Sequence, residues 1–513
     1  MMQIRNRFRI PLAALVVAGL TGSIGLLAGF NDRHRVQSVP RVWTDAAMHD
    51  WELPLADASR SPRPVSEDYY YKLPERVVYR TYPVYHPDYE PPGYRQWLEQ
   101  QEPEIVLDES KLVTQADYIK AGALLFDYPI DTLGAIISAE DVRDPAFYAY
   151  SGMQITKEGI LPFARWVVPE KGKVYLGNLS CGMCHTRVMP DGQVVQGAQG
   201  NWPGDKAFTY SLRNAPEEAI RGVTRVLFGS PWTPHDVHGK LINGPIQQII
   251  DAYNAVPSGA FGRQGTSILY PPQVPDLIGV KNRRYLDHGG LAQHRGIEDM
   301  MRYIAMNQAL DFMNLYGDYH PLGLSEQRRE VVPPPQFPGT YSRHSDKQLY
   351  ALASFVYSLT LPANPNKPSA LSERGKRIFA EQGCVTCHTP PLFTNNMLTP
   401  ANGFTIPEEH YNKYDLFDIS VGTDPGYTLH TRRGTGYYKV PSLLGVWYRG
   451  PFFHDASLAS LEDVLDPARL RDDYVPTGFK GAGVTHRPVK GHVFGMDLNA
   501  NDKRALIAYL KTL

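Results

Sequence analysis

The chain is poor in cysteine, with four in 513 residues, and all four fall in two short runs. It also lacks an excess of charge of either sign: 52 Lys and Arg stand against 53 Asp and Glu. That balance removes the electrostatic case for nucleic acid or an anionic membrane surface as partner. There is no glycine-rich phosphate loop followed by Lys and Ser or Thr, and no basic stripe, so nucleotide and nucleic-acid chemistry have no support. Proline (43), glycine (44) and tyrosine (31) are plentiful, which predicts long ordered loops between modest helices. A length of 513 residues predicts more than one domain.

The two runs are Cys181-Gly182-Met183-Cys184-His185 and Cys384-Val385-Thr386-Cys387-His388. A Cys-x-x-Cys-His run is the attachment site of a c-type haem. Its two thiols add across the porphyrin vinyl groups and therefore sit one helical turn apart, and the His that follows is the proximal iron ligand. A four-thiolate zinc site would bring such pairs much closer in sequence, and a redox dithiol would need a βαβ context that is missing. Two covalently bound haem c groups are expected, on Cys181, Cys184 and His185 and on Cys384, Cys387 and His388.

Arg5, Arg7 and Arg9 precede an apolar run over residues 10–30, long enough to span a bilayer. Its best small-residue cleavage pattern, Leu26-Leu27-Ala28, is poor, which favours an uncleaved inner-membrane anchor over a cleaved export signal. Either way the body is periplasmic, where c-type haem is attached. Residues 31–112 carry Tyr69, Tyr70, Tyr71, Tyr79, Tyr82, Tyr85, Tyr89 and Tyr94 among prolines and charges, with no helical period. They are expected to form an extended arm over the surface of the rest.

From Thr114 the pattern turns helical, and an internal repeat sets the organisation. Gly122-Ala123-Leu124-Leu125-Phe126 resembles Gly375-Lys376-Arg377-Ile378-Phe379, and each precedes a haem motif. The stretch from Val274 to Val280 matches that from Val440 to Val446 at five of seven positions, offset by 166, which sets His288 on His454. Ala351, Leu352 and Phe355 answer Ala505, Leu506 and Tyr509, offset by 154. The expected fold is mainly α, with two cytochrome c-type units at 113–362 and 363–513, long loops, the membrane segment and the arm.

The second unit resembles the bacterial di-haem cytochrome c peroxidase superfamily, which also contains the methylamine-utilisation di-haem enzyme and the di-haem rubber oxygenases. The resemblance lies in Tyr438-Lys439-Val440-Pro441-Ser442-Leu443, Gly450-Pro451-Phe452-Phe453-His454-Asp455 and Leu461-Glu462-Asp463-Val464. The first unit matches more loosely, through its haem motif, Arg213-Asn214-Ala215-Pro216 and the repeat. The resemblance implies a division of labour between a six-coordinate haem that passes electrons and a haem with an accessible face that takes peroxide or dioxygen. It places the reactive haem on His185 and electron entry at the His388 haem. It also implies a small cytochrome or cupredoxin as electron partner, and a calcium ion between the units whose ligands the sequence does not identify.

Where the peroxidases carry a distal Met, this chain has Ala468, so the second haem needs another sixth ligand. His492 is the candidate, with Met496 as the thioether alternative. Its repeat mate at offset 154 is Pro338, which cannot ligate, so the first iron would stay open. His288 stands where the peroxidases place a Trp between the haems and is, with Asp311, a candidate catalytic residue; Trp447 and Trp202 are possible substitutes on the inter-haem route. His454 is assigned a structural role near the haem or the domain interface, and His294 that of a satisfied loop residue. Met300, Met301, Met306 and Met313 are expected in the core. The carboxylate that moves a proton between the two peroxide oxygens falls, by alignment, at Asp311. Three functions remain open: a peroxidase-like oxidoreductase, a di-haem oxygenase acting on an organic substrate, and an electron-transfer subunit of a membrane complex.

Overall fold

The computed structural model describes residues 34–56, 63–130, 136–228, 235–262, 268–308, 314–315, 342–431 and 433–513. It is mostly helical, with one three-stranded and four two-stranded sheets among the described residues. Two helix crossings organise it. The helix Gln115–Asp127 packs on Asp346–Ser358, and Ala370–Glu381 packs on Ala500–Leu510. Each first helix starts at a capping box, Thr114 with Asp117 and Ser369 with Ser372, in which the side chains satisfy orphan N–H groups reciprocally. Glycine sits at both crossings for want of space. A Cβ on Gly122 would lie 2.0 Å from the Ala351 carbonyl oxygen, and one on Gly375 would lie 1.9 Å from that of Ala505.

The repeat extends into the backbone. Gly279 and Gly445, Asp287 and Phe453, and Gly290 and Ala456 are mates at offset 166, and all six have positive φ. The mates also bridge the two repeats reciprocally. The Lys439 N–H donates to the His288 carbonyl at 2.9 Å, and the Gln273 N–H donates to the His454 carbonyl at 2.7 Å. Gln273 and Lys439 are themselves mates, so the junction has the self-complementary form of a two-fold interface built within one chain.

The segment expected as a surface arm is instead part of the core. Trp43, Trp51 and Tyr70 are fully buried, and Trp43 stacks on Tyr70 with ring centres 4.5 Å apart. The strand Thr81–Tyr85 pairs with Ile160–Glu170, which pairs with Lys173–Gly177. The Leu53 N–H bonds the Leu291 carbonyl and the Ala56 N–H that of Gly434, so the segment joins backbone far apart in sequence. The difference has a physical cause: helices of five or six residues, such as Asp45–His49 and Glu67–Lys72, are too short to show a period. Residues 1–33, with the expected anchor, lie outside the described residues, among which no helix is long and apolar enough to cross a membrane.

Candidate functional site

Each haem motif folds as one turn closed on itself. The His185 N–H donates to the Cys181 carbonyl at 2.9 Å, and the His388 N–H to that of Cys384 at 2.8 Å. Both rings are then oriented alike. Nδ1 of His185 donates to the Pro275 carbonyl at 3.0 Å, and Nδ1 of His388 lies 3.2 Å from the carbonyls of both Pro441 and Phe393. Pro275 and Pro441 are repeat mates at offset 166. A proton held on Nδ1 leaves Nε2 with a free pair, which is how ligating histidines are prepared. Burial pushes the thiols up, Cys181 to about 12 and Cys384 to about 11, so they stay neutral at ordinary pH. Among the described residues no three His, Cys, Asp or Glu side chains form a metal cluster, so the four cysteines do not converge on a thiolate site. No calcium cluster of that kind is present among them either.

A cavity of about 520 Å³ opens beside the second motif, within the range of a cofactor site. Cys384, Cys387 and His388 line it, with Phe379, Val446, Leu465 and Leu506 as apolar wall, and His492 completes it. The rings of His388 and His492 lie 6.3 Å apart, centre to centre. Two metal–nitrogen bonds of about 2.0 Å, plus about 1.1 Å from each nitrogen to its ring centre, give roughly the same separation. Burial lowers both imidazoles to about 4, so both are neutral and able to ligate. The residues present fit a haem, which Cys384, Cys387, His388 and His492 would hold.

His492 is held against local preference. Its φ is +49° and that of Gly491 is +81°, where a Cβ on Gly491 would meet the Gly422 backbone at 2.7 Å. The His492 N–H donates to the Val421 carbonyl at 2.7 Å. The Arg469 guanidinium, fully buried, donates to the carbonyls of Val464, Val489, Gly491 and His492. Arg469 was not singled out from sequence, although it adjoins Ala468, where the peroxidases carry their distal Met. Met496 is buried but does not line the cavity.

The remaining candidates divide clearly. Nε2 of His288 donates to the Gln273 carbonyl at 2.6 Å, so His288 is engaged at the junction through both ring and backbone. Burial drops it to about 3, and it stays neutral. His454 packs on Tyr438 with ring centres 4.6 Å apart, while its carbonyl holds Gln273. Both ring nitrogens of His294 are bonded, to the Arg283 carbonyl and the Tyr357 hydroxyl. Trp447 packs with Val195, Ala198 and Ile278 of the first unit, and Trp202 lies buried against Phe261. Met300, Met301 and Met306 are core. Asp311, Met313 and Pro338 lie outside the described residues.

No family model matches the chain. A cytochrome-c peroxidase of Denitromonas iodatirespirans is 30% identical over 115 residues, 19% of this chain and 31% of that protein. The methylamine utilization protein MauG of Methylorubrum extorquens is 27% identical over 177 residues, 32% of this chain and 42% of that protein. The matches thus span less than half the length of these relatives. Among solved structures, hydrazine synthase of Kuenenia stuttgartiensis aligns with a TM-score of 0.28 at 16% identity, covering 58% of this chain and 88% of that one. A MauG-like protein associated with microbial copper homeostasis aligns at 0.22 and 17%, covering 33% and 56%. Neither TM-score bears on the fold. The sequence matches do bear on descent, and the chain is a distant homologue of the di-haem cytochrome c peroxidases and of MauG.

Proposed function

We propose that the chain is an exported di-haem c-type oxidoreductase of peroxidase-like chemistry, built as two cytochrome c units at 113–362 and 363–513. In this reading the Cys384/Cys387 site serves electron entry from a small cytochrome or cupredoxin, and the Cys181/Cys184 site serves reaction with peroxide or dioxygen. A bound c-type haem supplies an iron that takes up single electrons and, where a coordination position is open, binds an O–O bond.

The observation that carries the reading is the 6.3 Å separation of the His388 and His492 rings across a cavity of cofactor size. With His492 as sixth ligand the second site is saturated, which suits electron transfer with little rearrangement. The repeat mate of His492 is Pro338, which has no ligating side chain, so the closure is particular to the second site. His288 is held between the repeats through its ring and its carbonyl, and His454 through its carbonyl, and His288 is assigned a positioning role there. Asp311 is assigned the proton transfer between the two oxygens of peroxide. The run over residues 10–30 is assigned to anchoring in the inner membrane, with the body in the periplasm.

The test is the absorption spectrum of the purified protein with and without carbon monoxide or cyanide. One haem is expected to take up ligand and the other to stay low-spin. Two ligand-indifferent low-spin haems would leave an electron carrier, and a ligand-binding haem without peroxide turnover by a reduced cytochrome would favour an oxygenase.

A further inference from the structure

The cavity has a second, polar end at the junction of the units. Arg283, Lys439 and Arg449 line it together with His388 and His492. Arg283 and Arg449 are repeat mates at offset 166, and each donates to the carbonyl of the residue seven positions earlier, Asp276 and Ser442 respectively. Arg283 also donates to the Ile278 carbonyl, and its Nε is then buried with no hydrogen-bond partner, while no hydrogen bond from the Lys439 ammonium is found among the described residues. The acids nearby are already engaged. Asp276 accepts from the Tyr448 hydroxyl and the Ile278 N–H, Asp424 from the Gly426 N–H, and Asp455 from Arg487 and the Ser457 N–H.

Arg283, Lys439 and Arg449 share this space with Asp276, Asp424 and Asp455, whose carboxylates are held by other donors. The buried Arg283 Nε and the Lys439 ammonium therefore lack a hydrogen-bonding anion, a cost that an arriving anion would offset. Burial and the two guanidinium groups push the Lys439 ammonium down to about 7. We propose that Arg283, Lys439 and Arg449 form a cationic cradle that takes haem propionate carboxylates at the junction between the units. This rests on the two-haem reading above. The planar forks of Arg283 and Arg449 suit carboxylates, and Lys439 adds a point charge. Its repeat mate is the neutral Gln273, so the likeness of the two repeats is broken by charge at this position.

Lys439→Gln installs the residue that the repeat itself uses. In the two-haem protein this variant should shift the propionate bending mode in the resonance Raman spectrum and lower the midpoint potential of at least one haem, because a nearby positive charge favours the reduced iron. Should Lys439→Gln fail to accumulate, Arg449→Lys, which keeps the charge and loses the fork, should shift the same band. Acetate or inorganic phosphate titrated into the unmodified protein should change neither quantity. A saturable shift with either anion would mean a site for a free anion and would overturn the propionate assignment. So would an unchanged band and unchanged potentials in the variant. A pyridine haemochrome assay on each preparation separates the two levels: fewer than two haems per unmodified chain would overturn the cofactor reading and the cradle with it, whereas two haems with unaltered spectra overturn the cradle alone.

Discussion

Arg469 donates from one nitrogen to the carbonyls of both Gly491 and His492, each at 2.8 Å, and so fixes the two left-handed residues that aim His492 into the cavity. Without that clamp the loop would relax toward ordinary φ values, since a left-handed non-glycine residue costs of order 1–3 kcal/mol. On the proposed two-haem reading, Arg469→Met should therefore loosen His492 before it removes the cofactor. The second haem should become a mixture of low and high spin by electron paramagnetic resonance, with both haems retained. Four carbonyls left without a donor should lower stability by about 2–4 kcal/mol in denaturant unfolding.

The helix crossings make a second expectation. Gly375→Ala would drive a methyl group into the Ala505 carbonyl and the Tyr509 Cβ, which a Cβ would approach to 1.9 and 2.8 Å. One of those atoms is backbone and cannot swing aside, so the helices must separate. The expected loss is about 1–3 kcal/mol, seen as a lower melting temperature. Gly383→Ala, with open space but positive φ, should cost less, about 1 kcal/mol.

Much of this was legible in the sequence because the chemistry is local. The haem motifs, the helix pairs and the 166-residue repeat need only spacing, and His492 became a candidate through the missing Met at Ala468. The same offset also contained Pro275 with Pro441 and Arg283 with Arg449, but their roles depend on carbonyls and cavities that spacing does not express. Arg469 was invisible because its partners are backbone atoms. Trp43, Trp51 and Tyr70 sit in segments too short for a period, so their burial comes only from tertiary packing. The strand Ile160–Glu170 is buried on both faces for most of its length and shows no alternation to betray it.

A buried pair at the junction supports a third expectation. Asp287, itself at positive φ, accepts from Arg433, Tyr427 and Tyr303, and Arg433 also reaches Asn307. Arg433→Met removes one charge and strands the other, which typically costs about 3–5 kcal/mol. Adding Asp287→Asn should recover part of the loss, because Asn tolerates the left-handed backbone and leaves no buried charge. Chemical denaturation of the two single variants and the double variant gives the coupling. Simple additivity would mean that the pair does not join the units.

Asp205 supplies the pH dependence. Its side chain is buried, and among the described residues it accepts one hydrogen bond, from the Gly262 N–H at 2.9 Å. It stands in the first turn of the helix Gly204–Ser211, where the dipole favours a negative charge by only about 0.3–1 kcal/mol. Burial outweighs that and raises the carboxyl well above its ordinary 3.8. The folded state therefore binds a proton that the unfolded chain releases above pH 3.8, so this contribution to stability is full in acid and falls as pH rises toward the folded value. Asp205→Asn keeps the acceptor for Gly262 and has no proton to lose. It should raise the melting temperature at neutral pH by about 2 °C or more and leave it unchanged in acid. An equal shift at both pH values would show that folding leaves the Asp205 carboxyl unperturbed. A lower melting temperature at neutral pH alone would show that it is charged in the folded protein, held by a partner beyond Gly262.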